Sequence, residues 1–271
     1  MDIQWFPGHM AKARRQIKES LALIDIVIEL TDARVPQSAR NPDIPEIHSK
    51  PYILAVTKCD LADPDKTRVW ADYWRTKNER AVLLELSKGR GIEYLRSEIK
   101  RSLPQIRRTP RALVVGIPNV GKSTLINRLA GKKSAKVGAR PGVTRGKQWI
   151  NAHGIQLLDT PGILWPKFTD QETAIKLAAV AAIRDEVFNW EEIALWLISY
   201  LAHEYPSLLA KRYDLVAIDQ EPVVILDHIG RKRGCLRTKN EVDYQQAAQI
   251  LLTDFRQGLI GPITLELPMK E

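Results

Sequence analysis

With 271 residues, 44% of them hydrophobic, the chain is long enough for one large domain or two ordinary ones and apolar enough to build real cores, which excludes a disordered protein. Its two cysteines, Cys59 and Cys235, cannot make a disulfide framework or a zinc cluster, and no apolar run nears the ~20 residues of a membrane span. The net charge of +9 is concentrated: residues 99–158 hold 13 Lys or Arg and no Asp or Glu, so the remainder nets 28 − 32 = −4.

Residues 10–23 have the spacing of an amphipathic helix, with Ile17, Leu21 and Ile24 on one face and basic residues between them. Residues 25–30 form an expected buried strand with Asp32-Ala33-Arg34 at its end. A second strand, 51–56, leads into Thr57-Lys58-Cys59-Asp60, and a helix is expected over 65–77. A third strand, 81–86, precedes Ser87-Lys88-Gly89, and a helix over 92–103 ends in a basic, proline-bounded linker, 104–110. Residues 111–116 give a strand and 122–130 a helix that Gly131 stops. The stretch 132–147 has no clear period and is expected to be a basic loop, while 148–151 and 155–158 form a hairpin around His153-Gly154. Alternating strands and helices predict a doubly wound, mostly parallel α/β sheet with ligands at the strand C-termini. After about 167 the pattern turns helical, over 172–183, 190–204, 206–213 and 242–256. The predicted domains are therefore 1–167 and an all-helical 168–271, whose loop 230–239 carries five Lys or Arg and no acid.

Gly116-Ile117-Pro118-Asn119-Val120-Gly121-Lys122-Ser123 has the form G-x-x-x-x-G-K-S of a phosphate loop. Its glycines let backbone N–H groups wrap phosphates, Lys122 neutralises the β- and γ-phosphates, and the Ser123 hydroxyl is placed for Mg²⁺. Asp159-Thr160-Pro161-Gly162 follows as a metal-and-phosphate switch. In that arrangement Asp159 serves the metal, the Gly162 N–H reaches the γ-phosphate and Thr144 is the second metal-ligating hydroxyl. Thr57-Lys58-Cys59-Asp60 suits guanine, because the Asp60 carboxylate can accept from N1–H and the exocyclic amine together. Adenine offers no such pair and would leave a buried charge unpaired. Lys58 can lay its stem along the ring. Ser87-Lys88-Gly89, after the next strand, is placed to support the base. The order is unusual, for the guanine-reading element precedes the phosphate loop by about sixty residues, as if the chain had been cut and rejoined.

That order, together with Trp5-Phe6-Pro7-Gly8-His9-Met10 and Asp32-Ala33-Arg34, resembles the circularly permuted P-loop GTPases of the ribosome biogenesis GTPase A (YlqF-like) family. The resemblance covers the whole chain, but most GTPases carry Asn where this chain has Thr57, which is expected to weaken the contact with the base. It implies a GTPase with Mg²⁺ that acts in late assembly of the large (50S) ribosomal subunit, its helical tail on ribosomal RNA. The implied nucleotide site is Thr57, Lys58, Cys59, Asp60, Leu86, Ser87, Lys88, Asn119, Val120, Gly121, Lys122, Ser123, Thr124 and Gly162, with Ser123, Thr144 and Asp159 on the metal. Lys122, Thr144 and His9 are the expected catalytic residues. Asn119 matches the pattern of potassium-stimulated GTPases, which would add K⁺; the alternative is a plain loop residue.

Hydrolysis is less settled, because Ile163 stands where many GTPases place a water-orienting Gln. Another residue orients the water, His9 being the best placed, or the intrinsic rate stays low until the large subunit stimulates it. His9 as a capping or packing residue is the other reading. The basic stretch is a nucleic-acid footprint, against the bland alternative of a solvated surface. In the tail Arg231, Lys232 and Arg233 are the expected RNA contacts, whereas Trp190, Trp196 and Tyr200 are expected in the core. GTP, GDP and the large subunit with its rRNA are the expected partners, with neither DNA nor a membrane among them. The N-terminus lacks signal-peptide character and both ends lack lipidation motifs, so a cytoplasmic, ribosome-associated protein is expected. The competing function is a GTP-regulated RNA-binding switch with little hydrolysis of its own.

Overall fold

The computed structural model describes residues 15, 19–40, 49–131, 148–159 and 170–269. Its centre is a six-stranded sheet made of β1 (Ile26–Asp32), β2 (Tyr52–Thr57), β3 (Ala81–Leu83), β4 (Arg111–Gly116), β5 (Gln148–Ala152) and β6 (Ile155–Asp159), in the order β3-β2-β1-β4-β6-β5. All neighbours are parallel except the β5–β6 hairpin. The central strands are near-continuous apolar runs because both faces of a parallel sheet are covered. Their two-residue alternation sorts them: Ile26, Ile28 and Leu30 enter the main core, while Val27 enters a smaller cluster with Leu113, Val115 and Leu158 on the other face. Trp70 and Trp74, on the helix Pro64–Thr76 (α1), cover that second face beside Leu54 and Val56.

Helices α2 (Ile92–Ser102) and α3 (Lys122–Ala130) pack on the main-core face through Leu95, Ile99, Leu125 and Leu129. β3 is shorter than predicted. After Leu83 the chain bends into a tight loop closed by a Glu85–Arg90 bridge, and Gly91 (φ +84°) sits so close that an added Cβ would lie 2.3 Å from the Leu83 carbonyl oxygen. Only glycine fits there.

The later helices are α4 (Gln171–Ala179), α5 (Trp190–Glu204), α6 (Pro206–Tyr213), α7 (Pro222–Lys232) and α8 (Tyr244–Arg256). Two differ from expectation. α4 stops at Ala179 instead of 183 because Ala181 adopts φ +62°, and the Ala182 N–H closes back on the Leu177 carbonyl. No Gly or Pro announces that stop. α7 was not foreseen, although Pro222 stands in its first turn and Ile225, Leu226 and Ile229 bury one stripe. Consequently Arg231 and Lys232 lie in its last turn and Arg233 caps it; they are not in a loop as predicted. Trp190, Trp196 and Tyr200 pack half-buried against the core, as expected.

After α8 the chain runs back over the sheet side as an extended strap. Ile263 N–H donates to the Leu61 carbonyl at 3.0 Å and Leu265 N–H to the Arg34 carbonyl at 2.7 Å. The indole N–H of Trp70 donates to Glu266 O at 3.0 Å. The Glu266 carboxylate accepts from the Gln37 and Ser38 N–H groups and the Ser38 hydroxyl. Helices and sheet share one continuous apolar cluster, from Leu30 and Val35 to Leu251 and Phe255.

Candidate functional site

The strand order reverses between β1 and β4, and the crevice at such a switch point is where doubly wound sheets bind ligands. Register brings the sequence motifs to that edge: Asp32 pairs with Thr57, Leu30 with Gly116 and Val114 with Asp159. Strands far apart in the chain therefore deliver the base-reading loop, the phosphate loop and the switch aspartate to one end of the sheet.

The phosphate loop is built on left-handed backbone at Gly116 (φ +156°), Asn119 (φ +57°) and Gly121 (φ +108°). A Cβ at Gly116 would lie 2.9 Å from the Leu30 carbonyl oxygen, so the loop lies directly against β1. Such a run turns N–H groups inward toward an anion, and the N-terminus of α3 adds its dipole. The Lys122 ammonium is buried and donates to the carbonyls of Gly116 (3.0 Å) and Ile117 (2.7 Å), and Ser123 follows it in the first turn of α3. Asn119 donates its amide to the Ala181 carbonyl at 2.7 Å, which ties the phosphate loop to the turn after α4.

The base-reading loop is fastened to the phosphate loop. Thr57 is fully buried, and its hydroxyl lies 2.6 Å from the Val120 carbonyl and 3.0 Å from that of Thr31. This residue, unusual for its position, acts here as a strut between loops. Lys58 (φ +57°) extends its ammonium to within 3.1 Å of the Asp32 carboxylate. Asp60 is exposed and accepts from the Ser87 hydroxyl at 2.7 Å, which joins the Thr-Lys-x-Asp and Ser-Lys-Gly loops. Lys88 turns toward Glu85, 3.6 Å away. Burial pushes the Cys59 thiol up to about 12, so it stays protonated beside the base site.

Arg128 on α3 was missed by sequence reasoning. It donates to the carbonyls of Leu86 (2.9 Å) and Ser87 (2.5 Å) and so clamps the base-supporting loop to the phosphate-loop helix. No pattern in the sequence marks it, because an arginine in a basic helix is commonplace. His9, Thr144, Gly162 and the Asp159 side chain lie outside the described residues. Leu86 packs beside Gly121, Val120 lies in the phosphate loop and Thr124 stands in the first turn of α3. The three tail cations are each paired: Arg231 with Asp227 at 2.6 Å, Lys232 with Asp214, and Arg233 with Asp254 at 3.3 Å.

A phosphate loop at the switch point, braced against a Thr-Lys-x-Asp loop from an earlier strand, defines a circularly permuted GTPase, an enzyme that binds and hydrolyses GTP. Residues 111–226 match the family described as 50S ribosome-binding GTPase. The Ribosome biogenesis GTPase A of Priestia megaterium is 48% identical over 99% of this chain and 98% of its own length. That of Thermotoga maritima is 32% identical over 98% and 95%. A solved GDP-bound YlqF superposes with a TM-score of 0.72 at 28% identity, covering 94% of this chain and 99% of the other. The chain belongs to the ribosome biogenesis GTPase A family.

Proposed function

We propose that this GTPase is an assembly factor of the large ribosomal subunit, acting late in its maturation and contacting rRNA while GTP is bound. The observation that carries the reading is the combination of a fully braced guanine-nucleotide crevice with the acid-free stretch 99–158, whose 13 cations exceed what one nucleotide requires. Relatives that match nearly full length carry ribosome names, among them the mitochondrial ribosome-associated GTPase 1 of Bos taurus, 32% identical over 97% of this chain and 88% of its own. Among the described residues no helix is long and apolar enough to cross a membrane. The ribosome names of its relatives support a cytoplasmic, ribosome-associated protein.

The nucleotide is assigned to Lys122, Ser123, Thr124 and the backbone of residues 119–121 for its phosphates, and to Lys58 and Asp60 for its base. The donor set fits Mg²⁺ in its chemistry, since a hydroxyl in the first turn of α3 and an aspartate at the end of β6 are both hard oxygen donors. Ser123, Thr144 and Asp159 would hold it. It would neutralise charge developing between the β- and γ-phosphates. His9 is assigned to hydrolysis and Asn119 to K⁺. A second reading, an RNA-binding switch with little intrinsic turnover, is favoured by Ile163 in place of a water-orienting glutamine. Phosphate release measured with and without purified large subunits separates the two. Several-fold stimulation by the subunit supports the assembly GTPase. Subunit binding that depends on GTP, without any rise in turnover, supports the switch, and no GTP-dependent subunit binding removes both.

A further inference from the structure

Beneath the base-reading loop lies a buried charge relay that the motifs do not account for. Asp32, at the end of β1 and 1% exposed, receives three hydrogen bonds from Arg34: from its N–H at 3.0 Å, Nε at 2.9 Å and Nη2 at 2.8 Å. The same carboxylate is 3.1 Å from the Lys58 ammonium. Arg34, equally buried, lies over the Phe255 ring at 5.4 Å in the last turn of α8, and its Nη1 reaches the Arg256 carbonyl at 3.5 Å. Two cations thus share one carboxylate in a water-poor site, and the end of the last helix anchors the far one.

We propose that Asp32 is a positioning residue for guanine recognition, holding Lys58 in the conformation that lies along the base, with Arg34 fixing Asp32 to the end of α8. The proposal rests on the assignment of Lys58 to the base. Lys58 occupies left-handed backbone, which a lysine does not choose unaided. Burial weakens its charge, while Asp32 supports it. Burial would raise the Asp32 carboxyl, but Arg34 and Lys58 outweigh it and hold the group well below the usual carboxylate range. Without that carboxylate, Arg34 and Lys58 would face each other uncompensated, and the flexible lysine would be the one to leave. The relay also makes the seating of α8 and the aim of Lys58 one problem, so helical-region contacts would reach the base by a route separate from the switch at Asp159–Gly162.

The test is calorimetric titration of the full chain with GDP and, separately, with inorganic tripolyphosphate, which can engage the phosphate loop but has no base. Asp32→Asn should weaken GDP about tenfold, the scale of one charge-assisted hydrogen bond, and leave tripolyphosphate within about twofold. Lys58→Met should do the same, and the double variant should be no weaker than the weaker single one. Should Asp32→Asn fail to fold, Arg34→Lys, which keeps the charge but loses the forked grip, should give the same base-selective loss to a smaller degree. Equal loss for both probes, additive losses in the double variant, or wild-type GDP affinity in the foldable variant overturns the relay. Wild-type GDP affinity in Lys58→Met overturns the base assignment, and the relay with it, whereas loss in Lys58→Met without loss in Asp32→Asn overturns the relay alone.

Discussion

Lys122 donates to two carbonyls of its own loop, so in the proposed site nucleotide binding would exchange neutral acceptors for charged phosphate oxygens. Hydrogen bonds to charged groups are about twice as strong as neutral ones, which gives the exchange its direction. Lys122→Ala should therefore lower GTP affinity by roughly ten- to hundredfold, and Ser123→Ala should remove most Mg²⁺-dependent turnover. Phosphate release against Mg²⁺ concentration checks both, and wild-type turnover in either variant would remove the phosphate-loop assignment. Asp60 tests the base in the same spirit. It is exposed and, among the described residues, is held at one oxygen by Ser87, so its geometry should survive substitution. Asp60→Asn inverts the donor and acceptor pattern and should shift preference from GTP toward xanthosine triphosphate. Competition between the two nucleotides reads this directly, and an unchanged preference would place guanine recognition elsewhere. These motifs are legible in the sequence because each residue must sit at a fixed place in a short pattern. The brace made by Thr57 is not: the family resemblance gives it only as a weaker base contact, whereas its burial and the nearby Val120 carbonyl add a loop–loop brace, which depends on a contact 63 residues away.

Elements were legible where local chemistry and tertiary demand agree. β4 and α3 have the predicted bounds because an apolar run, two glycines and a left-handed Gly131 fix them locally. α5 and α6 also matched, with Asn189 capping one and Pro206 opening the other. Failures arose where distant contacts decide. The end of α4 is set at an alanine whose carbonyl Asn119 engages, and no local residue type encodes that. Gly230 looked like the start of a loop, but it lies inside α7, where it is a glycine because an added Cβ would stand 2.4 Å from Val242 Cγ1 of the following segment. Arg128 belongs to the same class, joining α3 to a loop about forty residues earlier. It makes an element-scale prediction. Arg128→Met keeps the helix and much of the aliphatic contact, but frees the Leu86 and Ser87 carbonyls. GDP affinity should fall by roughly three- to tenfold as Ser87 loses its register with Asp60, while the melting temperature changes little. GDP titration alongside thermal unfolding checks it; a large fall in melting temperature with unchanged GDP affinity would make Arg128 a purely structural clamp.

At the scale of the whole molecule, the proposed RNA contact would draw on both the basic GTPase region and the helical region. The strap through Ile263 and Leu265 and the Asn119–Ala181 bond tie the helices to the sheet. The paired state of Arg231, Lys232 and Arg233 alters what the tail can contribute. Each must share or surrender an aspartate to reach a phosphate, which reduces its value as a contact; the Arg231–Asp227 and Lys232–Asp214 pairs are exposed enough to be individually weak and readily exchanged, whereas Arg233 pairs with the buried Asp254 and is held more firmly. Their removal should also be tolerated by the fold. Asp254 keeps Arg212 and the Tyr213 hydroxyl, Asp227 keeps the Tyr244 hydroxyl, and Asp214 faces water. Replacing all three by Ala should then weaken large-subunit binding and flatten its salt dependence. Each lost phosphate contact removes about 0.7–0.9 from the log–log slope, so full engagement of the three flattens it by about 2–3. GTP affinity should stay near wild type, since the three lie away from the crevice. Subunit binding measured across a salt series decides the matter. An unchanged slope with unchanged affinity means that the aspartates keep these cations for the fold, and the RNA contact then rests on residues 99–158.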